Sequence, residues 1–251
     1  MVYIRILDVN LSYPSVKVLE SVNFSVEEPS VVALLGPNGS GKTTLLRVID
    51  GLLKPNRGSV YVDGKLVHRL GRKEAAKLLG YVPQRLETAE LTVFEFVLTA
   101  RRPYIDFDYT KEDKAIALEA LKEVGVADLR DRLLTELSGG QLQKVYIARA
   151  LASGAKVLLL DEPTSNLDPK ASSEIMRTLR NISKGSGKIV IASIHELTLA
   201  YRYSDFSVFL KGGKVVAVGK TAEVFRPDVI KSVYDVDAEV DRQRMAIILN
   251  Y

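Results

Sequence analysis

The chain contains no cysteine in its 251 residues. That absence excludes disulfide staples and thiolate metal sites, and it fits a reducing compartment. Long apolar runs are lacking as well: none approaches the ~18 residues that a bilayer-spanning helix needs. The opening Val2-Tyr3-Ile4-Arg5-Ile6-Leu7 reads as a strand and offers no long apolar h-region, so no signal peptide is expected. A strong charge imbalance is missing too. The net charge is +4 and the basic residues form no run, so nucleic-acid binding, which needs them gathered on one face, is not expected. No internal repeat, low-complexity tract or linker interrupts the sequence. What remains, 47% hydrophobic and 26% charged, is an ordinary globular composition, long enough for one large or two small domains.

Against that plain background one segment stands out. Gly36-Pro37-Asn38-Gly39-Ser40-Gly41-Lys42-Thr43 follows the pattern G-x-x-x-x-G-K-T. It is preceded by the apolar run Val31-Val32-Ala33-Leu34-Leu35 and followed by the helical pattern from Thr44 to Ile49. A buried strand, a glycine-rich turn and a helix start form the context this motif requires. Glycines let backbone N–H groups converge on phosphate oxygens, and the helix N-terminus adds partial positive charge. Lys42 can reach the β- and γ-phosphates, and the Thr43 hydroxyl can ligate Mg²⁺. The segment reads as the grip on a nucleoside triphosphate.

The surrounding pattern is mixed. Residues 2–9, 22–26, 31–35 and 58–62 read as strands, the last ending at an Asp63-Gly64 hairpin turn. Helices are expected near 42–51 and 72–79, then a short strand at Tyr81-Val82. From about 86 to 150 the periodicity turns helical, over 92–101, 111–124 and 139–152. In the charged stretch Lys111–Glu123, Ile116, Leu118 and Leu121 mark an amphipathic helix. Strands return at 156–160, 188–193, 206–210 and 214–218, and 236–250 forms one more small strand pair. The expectation is an α/β core interrupted by a helical insertion.

Further motifs carry chemistry. Val157-Leu158-Leu159-Leu160-Asp161-Glu162 is an apolar strand that delivers two carboxylates at its C-terminal edge. Asp161 suits a water-mediated hold on Mg²⁺, and Glu162 suits polarising an attacking water. Leu137-Ser138-Gly139-Gly140-Gln141 precedes a helix, so its N–H groups form a second anion site. With this LSGGQ segment the chain resembles the ABC ATPases, the nucleotide-binding subunits of ABC transporters, over about residues 2–220.

That resemblance implies a P-loop NTPase core of the RecA-like kind, with an antiparallel β subdomain and an inserted α-helical subdomain. It divides the chain into 1–85 plus 155–251 for the core and about 86–154 for the insertion. The implied ATP contacts are Tyr13, Gly36, Pro37, Asn38, Gly39, Ser40, Gly41, Lys42, Thr43 and Thr44, with Ser138, Gly139, Gly140, Gln141 and Asp168. Tyr13 resembles the aromatic residue that stacks on adenine; the alternative for it is core packing. Gln84 looks like the Q-loop glutamine, Ser165-Asn166-Leu167-Asp168 like the D-loop, and His195 like the switch histidine. The implied catalytic set is Glu162, His195 and Gln84, and the implied Mg²⁺ set is Thr43, Gln84 and Asp161. His68 has no such context and reads as a surface residue. Three positions depart from the common pattern: Pro29-Ser30, Leu142 and Asn166.

The family works as a head-to-tail dimer, with Ser138–Gln141 of one copy covering the ATP on the other, at the cytoplasmic face of a membrane permease. A substrate-binding protein completes such importers. The stretch from Leu91 to Tyr104 looks like the corresponding segment in importers of iron–siderophore, haem and cobalamin, and so does the tail Ser232–Val240. Part of the set Leu91, Phe94, Phe96, Tyr104, Arg101 and Arg102 is therefore expected to line a groove between the α/β core and the helical insertion that receives a short permease helix, with at least one phenylalanine in the helical core. A molybdate or tungstate importer and a soluble iron–sulfur assembly motor stay open as alternatives.

Overall fold

The computed structural model describes residues 3–105 and 107–250. Val2, placed above in the first strand, lies outside them. The chain opens with an antiparallel pair, β1 (Ile4–Tyr13) and β2 (Val16–Val26). The second strand begins six residues before the expected Val22. Register shifts along β1, with Asp8 and Ser21 at positive φ, break the alternation that would have marked its first half. Next come β3 (Val31–Leu35), α1 (Lys42–Ile49), β4 (Arg57–Val62) and β5 (Lys65–Leu66). Asp63 and Gly64 turn between the last two at φ 47° and 76°, as a two-residue I′ hairpin demands. Four of these strands form a sheet in the order β2-β1-β4-β5.

α2 (Arg72–Leu78) and β6 (Leu79–Val82) lead into three helices, α3 (Val93–Leu98), α4 (Lys111–Glu123) and α5 (Gly139–Ala152). Each of the three starts at a capping box, built on Thr92, Thr110 and Ser138. α3 stops short of the expected Arg101 and tightens to a 3₁₀ segment over Thr99–Tyr104. Pro103 accounts for this, because its ring would collide with the carbonyl one α-turn back. Then follow β7 (Val157–Leu160), α6 (Pro169–Ser186), β8 (Ile189–Ser193), α7 (Leu197–Tyr203), β9 (Phe206–Lys211) and β10 (Lys214–Lys220). The short α8 (Thr221–Val224), α9 (Pro227–Tyr234) and a terminal hairpin, β11 (Asp237–Asp241) with β12 (Ala246–Asn250), complete the described chain.

The central sheet runs β10-β9-β3-β8-β7-β6 and is parallel except at its β10 edge. Its inner strands are buried on both faces, so alternate residues feed two cores. Val31, Ala33 and Leu35 pack with the helices, among them Val97, Leu121 and Val145. Val32 and Leu34 face the other way, towards α1 and the antiparallel sheet through Leu45, Ile4 and Val60. The helical stretch thus shares a continuous core with one sheet face, and the carboxyl ends of β3, β7 and β8 converge on one edge.

Arg101 corrects an expectation. Far from facing a permease, it is 8% exposed, pairs with Asp113 at 2.9 Å, donates to the Ala152 carbonyl at 3.0 Å and stacks on Tyr104. These contacts tie the 3₁₀ segment to α4 and α5. The Arg101 guanidinium and the Thr110 hydroxyl hold the Asp113 carboxyl below its usual range. The stabilisation is therefore present above the unfolded carboxyl's pKa and is lost as pH falls through the folded one. Arg101→Glu puts two carboxylates in this pocket, and breaking a buried pair costs about 3 kcal/mol or more. The expected result is a fall in Tm of roughly 5–10 °C, read by thermal unfolding. Phe96 is likewise structural, packed on Tyr146 with ring centroids 4.8 Å apart and under Arg149. His68 is also not a surface residue: it is half-buried with its Nε2 shielded, and burial lowers its pKa.

Candidate functional site

Gly36 follows β3 directly, and a side chain there would strike the Leu210 carbonyl at 2.1 Å. Only glycine lets the chain turn at this point, with φ at 150°. The loop then wraps to Gly41, which caps α1 in a left-handed conformation. Lys42, 5% exposed, folds back so that its Nζ donates to the Gly36 and Pro37 carbonyls at 2.8 and 3.1 Å. Burial lowers its pKa, while the Glu162 and Asp161 charges oppose that shift. A cavity of about 180 Å³ is lined by Val18, Asn38, Gly39, Ser40, Gly41, Lys42, Thr43, Thr44 and Glu162. Ser40 Oγ is buried there with no hydrogen-bond partner among the described residues, a donor ready for an incoming oxygen.

Parallel pairing brings the carboxylates alongside. Asp161 follows β7 and is 2% exposed. Its Oδ1 accepts from Thr43 Oγ1 at 3.0 Å and Ser193 Oγ at 2.9 Å, and Tyr81 Oη lies 3.4 Å from its Oδ2. Burial, reinforced by the Asp161 charge, pushes the Tyr81 phenol up to about 12. Glu162 takes φ 49°, a region few residues other than glycine adopt. Its two carboxylate oxygens are both occupied: Oε2 accepts from Gln84 Nε2, and Oε1 meets His195 Nε2. Gln84, Glu162 and His195, expected as one catalytic set, are therefore in contact.

Other expected residues lie elsewhere. Tyr13 is 51% exposed at the end of the β1–β2 hairpin, which rules out the core-packing alternative. Val18 of the same hairpin lines the loop cavity. Ser138 and Gln141 hold each other: the Ser138 N–H donates to Gln141 Oε1 at 3.0 Å, and the Gln141 N–H donates to Ser138 Oγ at 3.4 Å. Ser138, Gly139, Gly140 and Gln141 do not line the cavity over the chain's own phosphate loop. Asp168 caps α6 by accepting from the Ala171 N–H at 2.9 Å. Two departures from the common pattern find a physical reason: Leu142 is buried in the helical core, and Asn166 adopts φ 62°, which asparagine tolerates.

Sequence reasoning missed Ser193 and Tyr81 beside Asp161. It also missed Tyr234, whose buried hydroxyl lies against the Gly36 backbone outside good hydrogen-bond geometry; burial pushes this phenol up to about 12.

The strand–loop–helix, the carboxylate pair and the exposed LSGGQ helix start agree with comparisons to known proteins. The family described as "ABC transporter" matches residues 19–165, more than half of the chain. An uncharacterized ABC transporter ATP-binding protein of Methanocaldococcus jannaschii is 44% identical over 94% of this chain and 92% of its own length. The chain belongs to the ABC transporter family. A second relative, the iron(3+)-hydroxamate import ATP-binding protein FhuC of Bacillus subtilis, is 38% identical over 92% of this chain and 87% of its own. Among solved structures, a dimeric ATP-binding cassette in a post-hydrolysis state with ADP and Pi superposes with TM-score 0.76. It is 32% identical and covers 87% of this chain and 98% of its own. An inward-facing transporter of metal-chelate type shares the fold at TM-score 0.86, covering 100% of this chain and 98% of its own at 24% identity. Among the described residues no helix of this ABC-family chain is long and apolar enough to cross a membrane.

Proposed function

We propose that this chain is the ATP-hydrolysing subunit of an importer that takes up a metal chelate through a membrane permease. The observation that carries the ATPase reading is the contact of Glu162 with both Gln84 and His195 at the rim of the phosphate-loop cavity. Glu162 is the group to take the proton of the attacking water. Each of its oxygens takes one contact in this state and keeps a further lone pair for that proton, while Gln84 and His195 hold the carboxylate in place. Lys42 and the loop N–H groups bind and orient the triphosphate.

Mg²⁺ fits the residues present. Thr43 Oγ1 and Asp161 Oδ1 are hard oxygen donors 3.0 Å apart. No cluster of three or more His, Cys, Asp or Glu among the described residues would hold a metal unaided. That suits a cation which uses one or two carboxylates and completes its shell with phosphate and water. Thr43, Asp161 and Gln84 are the residues to hold it; once bound, it neutralises charge developing on the phosphates.

Ser138 and Gly139 are exposed, Gly140 and Gln141 half-buried, and all four lie away from the lining of the chain's own loop cavity, which supports the head-to-tail dimer, where they cover the partner copy's ATP. For the cargo, support comes from relatives named for import: FhuC above, and the petrobactin import protein YclP of Bacillus subtilis, 33% identical over 97% of this chain. Uptake of iron chelates in cells lacking or carrying the chain, with co-purification of a permease, is the direct experiment.

The permease-facing surface needs revision from the expected set. A hollow of about 590 Å³ between α2 and the segment after Pro103 is lined by Arg72, Lys73, Arg102, Phe107 and Tyr109, among others. An adjoining one of about 320 Å³ shares Arg102 and Pro103 and runs beside Tyr81 towards α5. Phe107 is fully exposed. A short permease helix is the proposed occupant. Arg102→Glu with Phe107→Ala should lower transport and permease-stimulated hydrolysis while basal hydrolysis stays unchanged. Unaltered transport by the double variant places the docking surface elsewhere.

A further inference from the structure

We propose that Ser193 is a positioning residue for hydrolysis: its hydroxyl locks the Glu162 main chain to the Asp161 carboxylate. The inference rests on the ATPase reading above.

Ser193 is the last residue of β8, and it is fully buried. β8 lies between β3 and β7 with Ala192 paired to Leu160, so one further step along both strands sets Ser193 beside Asp161. Its Oγ is 2.9 Å from Asp161 Oδ1 and 2.7 Å from the Glu162 nitrogen. The chemistry of the groups fixes the direction of both bonds. A backbone N–H only donates, so Ser193 accepts from Glu162, and its one proton is left for the carboxylate.

The Asp161 N–H still bonds to the Val82 carbonyl, continuing the ladder with β6. At Glu162 the chain leaves that ladder and swings to φ 49°. The Ser193 hydroxyl replaces the lost strand partner at the residue whose side chain must be aimed. Neither an apolar residue nor a main-chain carbonyl at this point could bond to both neighbours. The side-chain contacts from Gln84 and His195 set where the Glu162 carboxylate ends; Ser193 sets where it begins.

A merely structural serine and a positioning one differ in what their loss changes. The purified chain would be compared with Ser193→Ala, Ser193→Thr and Ser193→Cys. Melting temperature is taken first, then affinity for a fluorescent ATP analogue without metal, then kcat and KM. Loss of aim at a reacting group costs on the order of 10–100-fold, so the alanine variant should lose roughly 10-fold or more in kcat with analogue affinity nearly unchanged. Threonine keeps the hydroxyl and should recover most of the rate. The cysteine variant preserves size but is a poor hydrogen-bonding partner; it should fold like the parent and still lose rate. Combining Ser193→Ala with Glu162→Gln should add little to the loss from Glu162→Gln alone, because the carboxylate being aimed is already gone.

A kcat for the alanine or cysteine variant equal to the parent's overturns the proposal. So does an equal loss in the alanine and threonine variants, or a full second loss on the Glu162→Gln background. A parent that failed to bind or hydrolyse ATP would bring down the ATPase reading and this proposal together. A working parent matched by its cysteine variant removes Ser193 alone.

Discussion

Glu162→Gln is expected to cut ATP hydrolysis by roughly 10²-fold or more, the scale of a lost general base. The amide matches the carboxylate in shape, and Glu162 is only one of the residues lining the phosphate-loop cavity. Lys42 and the loop glycines are untouched, so ATP should still bind. An ATP-held dimer that cannot discharge its phosphate should then accumulate and elute early on gel filtration in the presence of ATP. The contacts sharpen the forecast. His195 Nε2 now meets the Glu162 carboxylate, which requires the ring nitrogen to donate. Glutamine can answer that donor through its carbonyl, but its amide NH₂ then faces the NH₂ of Gln84, which now donates to the other oxygen. Gln84 must therefore flip its amide to offer its carbonyl or give up the contact, and neither requires the main chain to move. Near-normal turnover in the variant would take Glu162 out of the base role.

What the sequence discloses here depends on how far apart the cooperating residues lie. The phosphate loop is contiguous from Gly36 to Thr43, and its chemistry follows from that order alone. Val31–Leu35 and Val157–Leu160 are apolar runs because both faces of the sheet are covered, and they read correctly as buried strands. The terminal strand pair is equally local. Ser193 and Tyr81 are different: they reach Asp161 across 32 and 80 residues of chain, through a parallel register that no local pattern records. A signal was present for Ser193. It is the one polar residue closing the apolar run Ile189–Ala192, two places before His195. Arg101 misled for a related reason. Two adjacent arginines suggest a surface, but the 3₁₀ turn points them apart, Arg101 inward to Asp113 and Arg102 to the hollow.

Lys42→Ala and His195→Ala should separate binding from chemistry. In the present state the Lys42 ammonium rests on two loop carbonyls, is almost wholly buried, and is partly stripped of water. An arriving triphosphate offers it charged oxygens in place of neutral ones, which is a stronger bond. Hydrogen bonds to charged groups contribute about 1.5–3 kcal/mol, so the alanine variant should bind nucleotide roughly 10–100-fold more weakly. His195 is half-exposed and touches Glu162, and it does not line the loop cavity. Its removal should leave affinity within a few-fold of the parent and slow hydrolysis instead. It also frees one Glu162 oxygen, so any residual rate measures what Glu162 and Gln84 achieve without the imidazole. Titration with a fluorescent ATP analogue, followed by single-turnover hydrolysis, reads the two effects independently. Equal affinity losses in both variants would mean that His195 already meets the phosphates in the ground state. The division of labour would then lie between two phosphate ligands, with Glu162 alone left to the water.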